Sequence, residues 1–351
     1  MQTSYVTSVS VDCASRVAAD GTVETGNLRV PFSAFATDAA RTTFLTALAP
    51  PPAGIANDLT ALRAHYTGFN DRLRDRMLER FQVEIVETEM GGVPVHRVTP
   101  ASSSDESGRV LLNLHGGAFM WGSGSGALVE AIPVAASTGL PVIAVDYRLA
   151  PEHTFPAASD DVQSVYEALL AAAVPPGALG IYGCSAGAFL TAQCMAQFLD
   201  RDIPLPGAIA MLGGGGLLPL GDSAFTSSAL SGERLDDDAT ADDMATGVLR
   251  NYVGDVALDD PHVFPGISPQ LIAQFPPSLL IAGSRDFAAS SVTTMHRRLV
   301  AQGVPAELFL FDGLWHAFHI FPDLPESMEV YGLLANFFDR TLKGNTAQHE
   351  P

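Results

Sequence analysis

The sequence predicts an α/β fold with a mostly parallel, doubly wound central sheet that is flanked by helices and covered by a helical cap. Three observations predict it. Short apolar runs bounded by glycine and proline alternate with helical stretches from Val110 onward, as in strands covered on both faces. The chain has 351 residues, of which 47% are hydrophobic, enough to bury the core of one large α/β domain. Two regions without this alternation, at the N-terminus and in mid-chain, are available for a cap.

The first of these regions predicts helices, and a hairpin follows it. Helical spacing of apolar residues over Asp58–Phe81 comes after an earlier helix at Thr37–Leu48. The period then changes to two over Val83–Arg97, around two glycines, which predicts an antiparallel hairpin. We therefore assign residues 1–82 to a cap-forming segment and residues 83–351 to the main domain.

The main domain is predicted to add alternating strands and helices. The strands are Val110–Leu114, Val142–Tyr147, Leu179–Tyr182, Ala208–Leu212, Ser278–Ala282 and Glu307–Phe311. The helices are Ala157–Ala172, Ala186–Leu199, Ser290–Gln302 and Ser327–Leu342. Such an order predicts parallel pairing through crossover connections.

The interval from about 213 to 276 breaks this alternation. It carries acidic clusters at Asp236–Asp238 and Asp242–Asp243, and helical patterning at Met244–Tyr252. We expect a cap insertion above the carboxyl edge of the sheet, where such folds bind their ligands. A disordered acidic loop is the alternative.

Composition excludes several classes of partner. Acids outnumber bases 39 to 19, a formal net charge of −20, which argues against nucleic acid and anionic membranes as partners. No apolar run is long enough to span a bilayer and no secretion signal is visible, so we expect a cytoplasmic location. The cysteines Cys13, Cys184 and Cys194 are too few for a disulfide scaffold and include no CxxC pair. We expect neither metal nor cofactor.

The strongest chemical signal is Gly183-Cys184-Ser185-Ala186-Gly187, between a predicted strand and a predicted helix. This context is required for a nucleophile elbow, in which a strained turn exposes the serine at a helix N-terminus. Cys184 is interpreted as a small packing residue rather than a reactive thiol. The similar Gly221-Asp222-Ser223-Ala224 lacks the final glycine and follows a Gly/Pro-rich segment, so we interpret it as a loop.

A second signal, His115-Gly116-Gly117-Ala118, follows the strand that ends at Leu114. Acyl transfer creates an oxyanion that preorganised N–H groups can stabilise. We expect an oxyanion hole at Gly116, Gly117, Ala118 and Ala186, with Gly116 shaping the loop and the other three donating; a plain glycine-rich turn is the alternative. The three residues after Ala118 are expected to line the substrate pocket, with core packing as the alternative. They are Phe119, Met120 and Trp121.

A serine nucleophile needs a base, and the base needs an orienting acid. His316 follows the last predicted strand and Asp286 follows the one before it, so both lie at the carboxyl edge with the serine. The chain order Ser, Asp, His is that of α/β-hydrolases. His319 competes for the role of base, and Asp312 for that of acid.

Together these residues resemble the hormone-sensitive-lipase family of bacterial carboxylesterases, in the α/β-hydrolase superfamily. The matching motifs are His115–Ala118, Asp146–Glu152, the elbow at Ser185, Asp286 and His316–Phe318. Several motifs in family order over Val110–Phe318 form a specific signature.

The sequence departs from the family pattern at four places. Ala118 replaces a third glycine, Cys184 an aspartate, and Ala188 a glycine, and the segment after Asp286 lacks the customary Pro-Leu and Asp-Glu. None of these changes removes a member of the triad. They bear on substrate preference instead.

The resemblance implies a serine carboxylesterase that hydrolyses short- to medium-chain esters through Ser185, His316 and Asp286 and an acyl-enzyme, without a cofactor. Lactones and arylamides are alternative substrates for the same site. A non-catalytic small-molecule receptor is the alternative from another class, because a plant hormone receptor resembles this family but has lost the histidine. The expected partner is a small ester, and a homodimer is left open.

Overall fold

The structure is a computed structural model that describes residues 16–17, 23–24, 30–47, 55, 58–101, 107–231 and 249–344. Residues 1–33 and residues 34–351 form two compact units. In the first unit, the short strands β1 (Arg16–Val17) and β2 (Val23–Glu24) pair antiparallel. The second unit contains the central sheet and the helices.

Eight strands form the sheet of the second unit. They are β3 (Val83–Met90), β4 (Val93–Pro100), β5 (Val110–Leu114), β6 (Val142–Val145), β7 (Leu179–Cys184), β8 (Ala208–Leu212), β9 (Ser278–Arg285) and β10 (Ala306–Trp315). Their order in space is β10-β9-β8-β7-β5-β6-β4-β3. The hairpin β3–β4 is antiparallel, β4 is antiparallel to β6, and the remaining neighbours are parallel. The predicted hairpin and the mostly parallel, doubly wound sheet are confirmed.

Helices pack on both faces of this sheet. The described ones are α1 (Asp38–Ala47), α2 (Leu59–Arg80), α3 (Ser125–Thr138), α4 (Ala157–Ala171), α5 (Ala186–Asp200), α6 (Asp222–Ser231), α7 (Arg250–Val253), α8 (Pro269–Ile272), α9 (Ala289–Ala301) and α10 (Pro325–Thr341). The helices predicted from spacing match α1, α2, α4, α5, α9 and α10, with small shifts at their ends. At α2 the start is set by Asp58, whose carboxylate accepts the N–H of Ala61 at 3.0 Å.

Helix α3 was absent from the sequence prediction. It lies between the sheet and the neighbouring helices α2 and α10, and residues on all its faces are buried. A helix that is apolar all round shows no 3.6-residue alternation of polar and apolar residues. Its interior Pro133 and the glycines that precede it also argue locally against a helix. This omission matters because α3 carries a residue of the site.

Two further expectations require correction. Gly221–Ala224 is not a loop, since α6 begins at Asp222. Its first turn is held by Ser223, whose hydroxyl donates to the Phe287 carbonyl at 2.7 Å and accepts the Ser290 N–H at 2.8 Å. The last strand also runs past Phe311 to Trp315, through an irregularity in its pairing with β9.

The described part of the predicted insertion packs onto the main domain. The Gln193 amide on α5 donates to the Val263 carbonyl at 3.0 Å and accepts the Tyr252 hydroxyl at 2.7 Å. The acidic clusters of the predicted insertion, and most of its predicted helix at 244–252, lie outside the described residues. None of the described helices has the length and apolar character that crossing a membrane requires.

Candidate active site

Ser185 stands on a sharp turn between β7 and α5, with φ 55° and ψ −120°. A non-glycine residue with positive φ is strained. The turn is tight enough that a side chain at Gly183 or Gly187 would overlap the carbonyl oxygen of Leu114 at the end of β5. The two glycines therefore allow the serine to lie directly above the carboxyl edge of the sheet.

His316 links Ser185 to Asp286. Its Nε2 lies 2.9 Å from Ser185 Oγ, and its Nδ1 lies 2.9 Å from Asp286 Oδ1. With the proton on Nδ1 donated to the carboxylate, Nε2 can accept the serine hydroxyl proton. Asp286 is 1% exposed and also accepts the Ala288 N–H at 2.8 Å, so its carboxylate is fixed in place. The structure thus brings the three predicted triad residues into one hydrogen-bonded chain.

Gly213, just after β8, lies in close contact with Asp286 and His316. Its φ is +58°, and a Cβ there would lie 3.0 Å from Asp286 Oδ2 and 3.1 Å from His316 Nδ1. The missing side chain lets the main chain cover the Asp–His contact closely. On the other side the Phe287 ring packs on the imidazole, with centroids 4.5 Å apart. Sequence reasoning missed both residues, because neither belongs to a recognisable motif.

The competing residues make other contacts. His319 is buried, and its main-chain carbonyl accepts the Tyr331 hydroxyl. Burial, followed by repulsion from His316, lowers the pKa of His319 to about 3. Asp312 accepts the Ser284 hydroxyl at 3.3 Å. Neither makes the contacts that join Ser185, His316 and Asp286.

The loop after β5 has an unusual backbone. Gly117, Ala118 and Phe119 have φ values of 117°, 55° and 62°, and the Gly117 carbonyl accepts the N–H groups of Met120 at 2.9 Å and Trp121 at 3.0 Å. The loop starts against the nucleophile, since a Cβ on Gly116 would lie 3.4 Å from Ser185 Cβ. We call residues 116–118, where the oxyanion hole is predicted, the oxyanion loop.

His115 supports this loop from inside. It is fully buried, its ring stacks on Tyr147 at 4.2 Å, and its Nδ1 lies 2.7 Å from the Gly116 carbonyl. The Tyr147 hydroxyl donates to the His115 carbonyl at 2.7 Å. Burial lowers the pKa of His115, so the ring is held neutral.

The three predicted pocket residues occupy different surroundings. Phe119 and Met120 are buried in the core, where Phe119 stacks on Tyr252. Trp121 is half-buried and stacks on Tyr66 of α2, with centroids 4.5 Å apart. A role in contact with substrate therefore suits Trp121 better than the other two.

Helix α2 is hydrogen-bonded to the chain beyond the loop through Arg63. Its guanidinium donates to the Met120 carbonyl at 2.7 Å, to the Ala150 carbonyl at 2.9 Å and to both Glu152 oxygens at 2.7 Å. The hydrogen bond from Arg63 lowers the pKa of Glu152 to about 2. Sequence spacing placed Arg63 on a helix but gave no sign of this long-range contact.

A buried acid from α3 also reaches the oxyanion loop. Glu130 Oε1 accepts the Gly116 N–H at 3.0 Å, and Oε2 accepts the Asn113 side-chain amide at 3.3 Å. Sequence reasoning missed it together with its helix. The available signal was a single acid within the apolar run of residues 127–136.

Comparisons with known proteins agree with this architecture. Residues 111–320 match a family model described as alpha/beta hydrolase fold. Esterase LipU of Mycobacterium tuberculosis is 31% identical over 251 residues, covering 66% of this chain and 78% of LipU. Esterase E25 has a crystal structure that superposes with a TM-score of 0.78 at 27% identity, over 91% of this chain and 98% of E25. A hormone-sensitive lipase from a metagenome library superposes with a TM-score of 0.70 at 26% identity, over 86% and 96%.

Replacing the two neighbouring histidines should separate their roles. We expect His316→Ala to lose on the order of 10⁶-fold in kcat for p-nitrophenyl acetate, because no other base among the described residues bonds to Ser185. His319→Ala should lose less than about tenfold, since it removes mainly packing. Equal losses in the two variants, with both proteins folded by circular dichroism, would contradict the assignment of the base.

Proposed function

The chain belongs to the α/β-hydrolase family, within its hormone-sensitive-lipase group of carboxylic ester hydrolases, and from that premise we propose that it hydrolyses short- to medium-chain esters through Ser185, His316 and Asp286. The observation that carries the proposal is the hydrogen-bonded chain from Ser185 Oγ through both nitrogens of His316 to Asp286. A nucleophile, a base and an orienting acid in this order are what acyl transfer requires.

In the proposed mechanism, Ser185 Oγ attacks the ester carbonyl while His316 Nε2 accepts its proton. The oxygen of the tetrahedral intermediate accepts hydrogen bonds from the N–H groups of Gly117, Ala118 and Ala186. His316 then protonates the leaving alcohol, and an acyl group remains on Ser185. Water repeats the sequence and releases the acid. Asp286 stabilises the imidazolium form at each step.

Substrate preference is proposed to depend on the surroundings of the loop. The half-buried rings of Trp121 and Phe287 stand near the loop and the base, respectively. Helix α2, which stacks on Trp121 and bonds to Met120, is proposed as the part of the cap that limits acyl length. The cytoplasmic location and a homodimer stay predictions.

Removing the nucleophile tests the proposed function. We expect Ser185→Ala to lose on the order of 10⁶-fold in kcat and to keep its fold, since alanine fits the turn. Ser164→Ala is the control and should retain full activity, because Ser164 is a half-buried residue of α4 whose hydroxyl donates to the Asp160 carbonyl of the same helix. Near-normal hydrolysis of p-nitrophenyl acetate by purified Ser185→Ala would refute the proposal.

The alanine of the oxyanion loop is expected to restrict bulky substrates. Its methyl group takes space that the family's third glycine leaves open, a steric effect of about 1–3 kcal/mol for a bulky ester and little for acetate. Ala118→Gly should therefore raise kcat/KM for a tertiary-alcohol ester relative to p-nitrophenyl acetate.

The competing effect is backbone freedom. Ala118 has φ 55°, where glycine is unstrained but also more mobile. If rigidity is what alanine supplies, the substitution will lower kcat/KM for both esters by a similar factor, and the steric explanation fails.

Breaking the contact between α2 and the loop tests the proposed cap. Arg63→Ala removes the bonds to Met120, Ala150 and Glu152, and should change the ratio of kcat/KM between p-nitrophenyl octanoate and acetate by about tenfold, the size of a lost charged hydrogen bond. Arg74→Ala is the control, because Arg74 lies on the same helix and bonds only to its neighbours Asp71 and Asp75 in the described structure. An unchanged ratio in Arg63→Ala would show that α2 does not set acyl length.

A further inference from the structure

The buried carboxylate of Glu130 has no part in the proposed triad. It is the only charged residue of α3 and is 7% exposed. Burying an ionisable group without compensation is costly, so a buried acid is expected to have specific partners. Within the described structure, the partners of its side chain belong to segments around the nucleophile.

Three segments converge on this carboxylate. Oε1 accepts the N–H of Gly116 at 3.0 Å, and Oε2 accepts the amide of Asn113, near the end of β5, at 3.3 Å. The main-chain N–H of Cys184, immediately before the nucleophile, also favours the charged form and lowers the pKa of Glu130. Both bonding groups are donors, and an ionised carboxylate accepts on both oxygens without a proton of its own to place. One buried carboxylate thus joins strand β5 to the oxyanion loop, beside the nucleophile elbow.

We propose that Glu130 is a positioning residue of the ester-hydrolysis site. Its charged carboxylate fixes Gly116 and thereby keeps the N–H groups of Gly117 and Ala118 in position beside Ser185. The inference rests on the proposed function and extends it to a group outside the triad. Glu130 acts through the loop and does not touch the substrate.

The charge on Glu130 has a second effect, on His316. It attracts the imidazolium form of that ring, which appears when the serine is attacked. The other titratable groups that interact with this charge are neutral at pH 7: they are Tyr147, Tyr182, Cys184 and Tyr331, and burial raises the pKa of each. Among the described groups that interact with Glu130, His316 is therefore the one that gains a positive charge in the proposed reaction.

Protonation of Glu130 would weaken this arrangement. Burial raises its pKa to about 7, against the opposing effects of its N–H donors and of His316. Below that pH Glu130 is neutral, and the charge that strengthens its hydrogen bond with the Gly116 N–H is lost. Above it the carboxylate accepts from all its partners. The contribution of Glu130 to turnover should accordingly be present at alkaline pH and absent at acid pH.

The decisive experiment compares the wild type with Glu130→Gln from pH 5.5 to 8.5, using p-nitrophenyl acetate. At pH 8.5 the variant should lose about tenfold or more in kcat, somewhat less than for a deleted oxyanion donor, with KM changed less than about twofold. At pH 5.5 the two enzymes should differ by less than about threefold, because wild-type Glu130 is then also neutral. Ser125→Ala on the same helix is the control; its hydroxyl bonds to no group in the described structure, and its profile should match the wild type.

A second variant keeps the test valid if glutamine at position 130 prevents folding. Asn113→Leu leaves Glu130 in place but removes one donor, which should raise the pKa of Glu130 and move the acid limb of kcat to higher pH. A ratio of wild type to Glu130→Gln that is constant across pH, or a change confined to KM, would overturn the inference. So would an unshifted limb in Asn113→Leu. Either result leaves the proposed function intact, because that function is tested separately by the activity of Ser185→Ala.

Discussion

The site depends on one close contact, between the turn that carries Ser185 and the end of β5. The Leu114 carbonyl occupies the space where side chains at Gly183 and Gly187 would stand. Because β5 and β7 are neighbours in the sheet, this contact places the loop that leaves β5 beside the nucleophile. The ends of β9 and β10, farther along the same edge, supply Asp286 and His316. A bulkier residue at either glycine would separate the serine from the groups that are proposed to act with it.

The oxyanion loop is fixed by elements outside the proposed triad. Glu130 accepts the Gly116 N–H, and the His115 ring lies against the Gly116 carbonyl. Arg63 bonds to the Met120 carbonyl just beyond the loop. These contacts come from three separate parts of the chain. Oxyanion donors contribute most when they need no rearrangement during the reaction. The three successive residues of positive φ, Gly117–Phe119, would not hold this shape unaided, and the surrounding contacts compensate for the strain.

Local sequence patterns predicted the sheet, most helices and the residues now found around Ser185, because strand periodicity and turn chemistry act over a few residues. The elbow glycines and the positions of His316 and Asp286 after their strands are signals of this kind. Helix α3 was missed because burial on all sides removes the periodicity that identifies a helix. Glu130 and Arg63 escaped notice because their partners are distant in sequence. Gly213 belongs to no motif. Only the folded structure shows that the absence of a Cβ there leaves room for Asp286 and His316.

The central claim is that acyl transfer passes through Ser185, and trapping the covalent intermediate tests it most directly. The protein would be incubated with a fluorophosphonate ester, which leaves a stable adduct on an activated serine, then digested and analysed by mass spectrometry. The account predicts one adduct per chain, on Ser185, and none after His316→Ala because the serine is then not activated. An adduct on Cys184 or Ser223, or full hydrolytic activity in a protein that carries the adduct on Ser185, would contradict it.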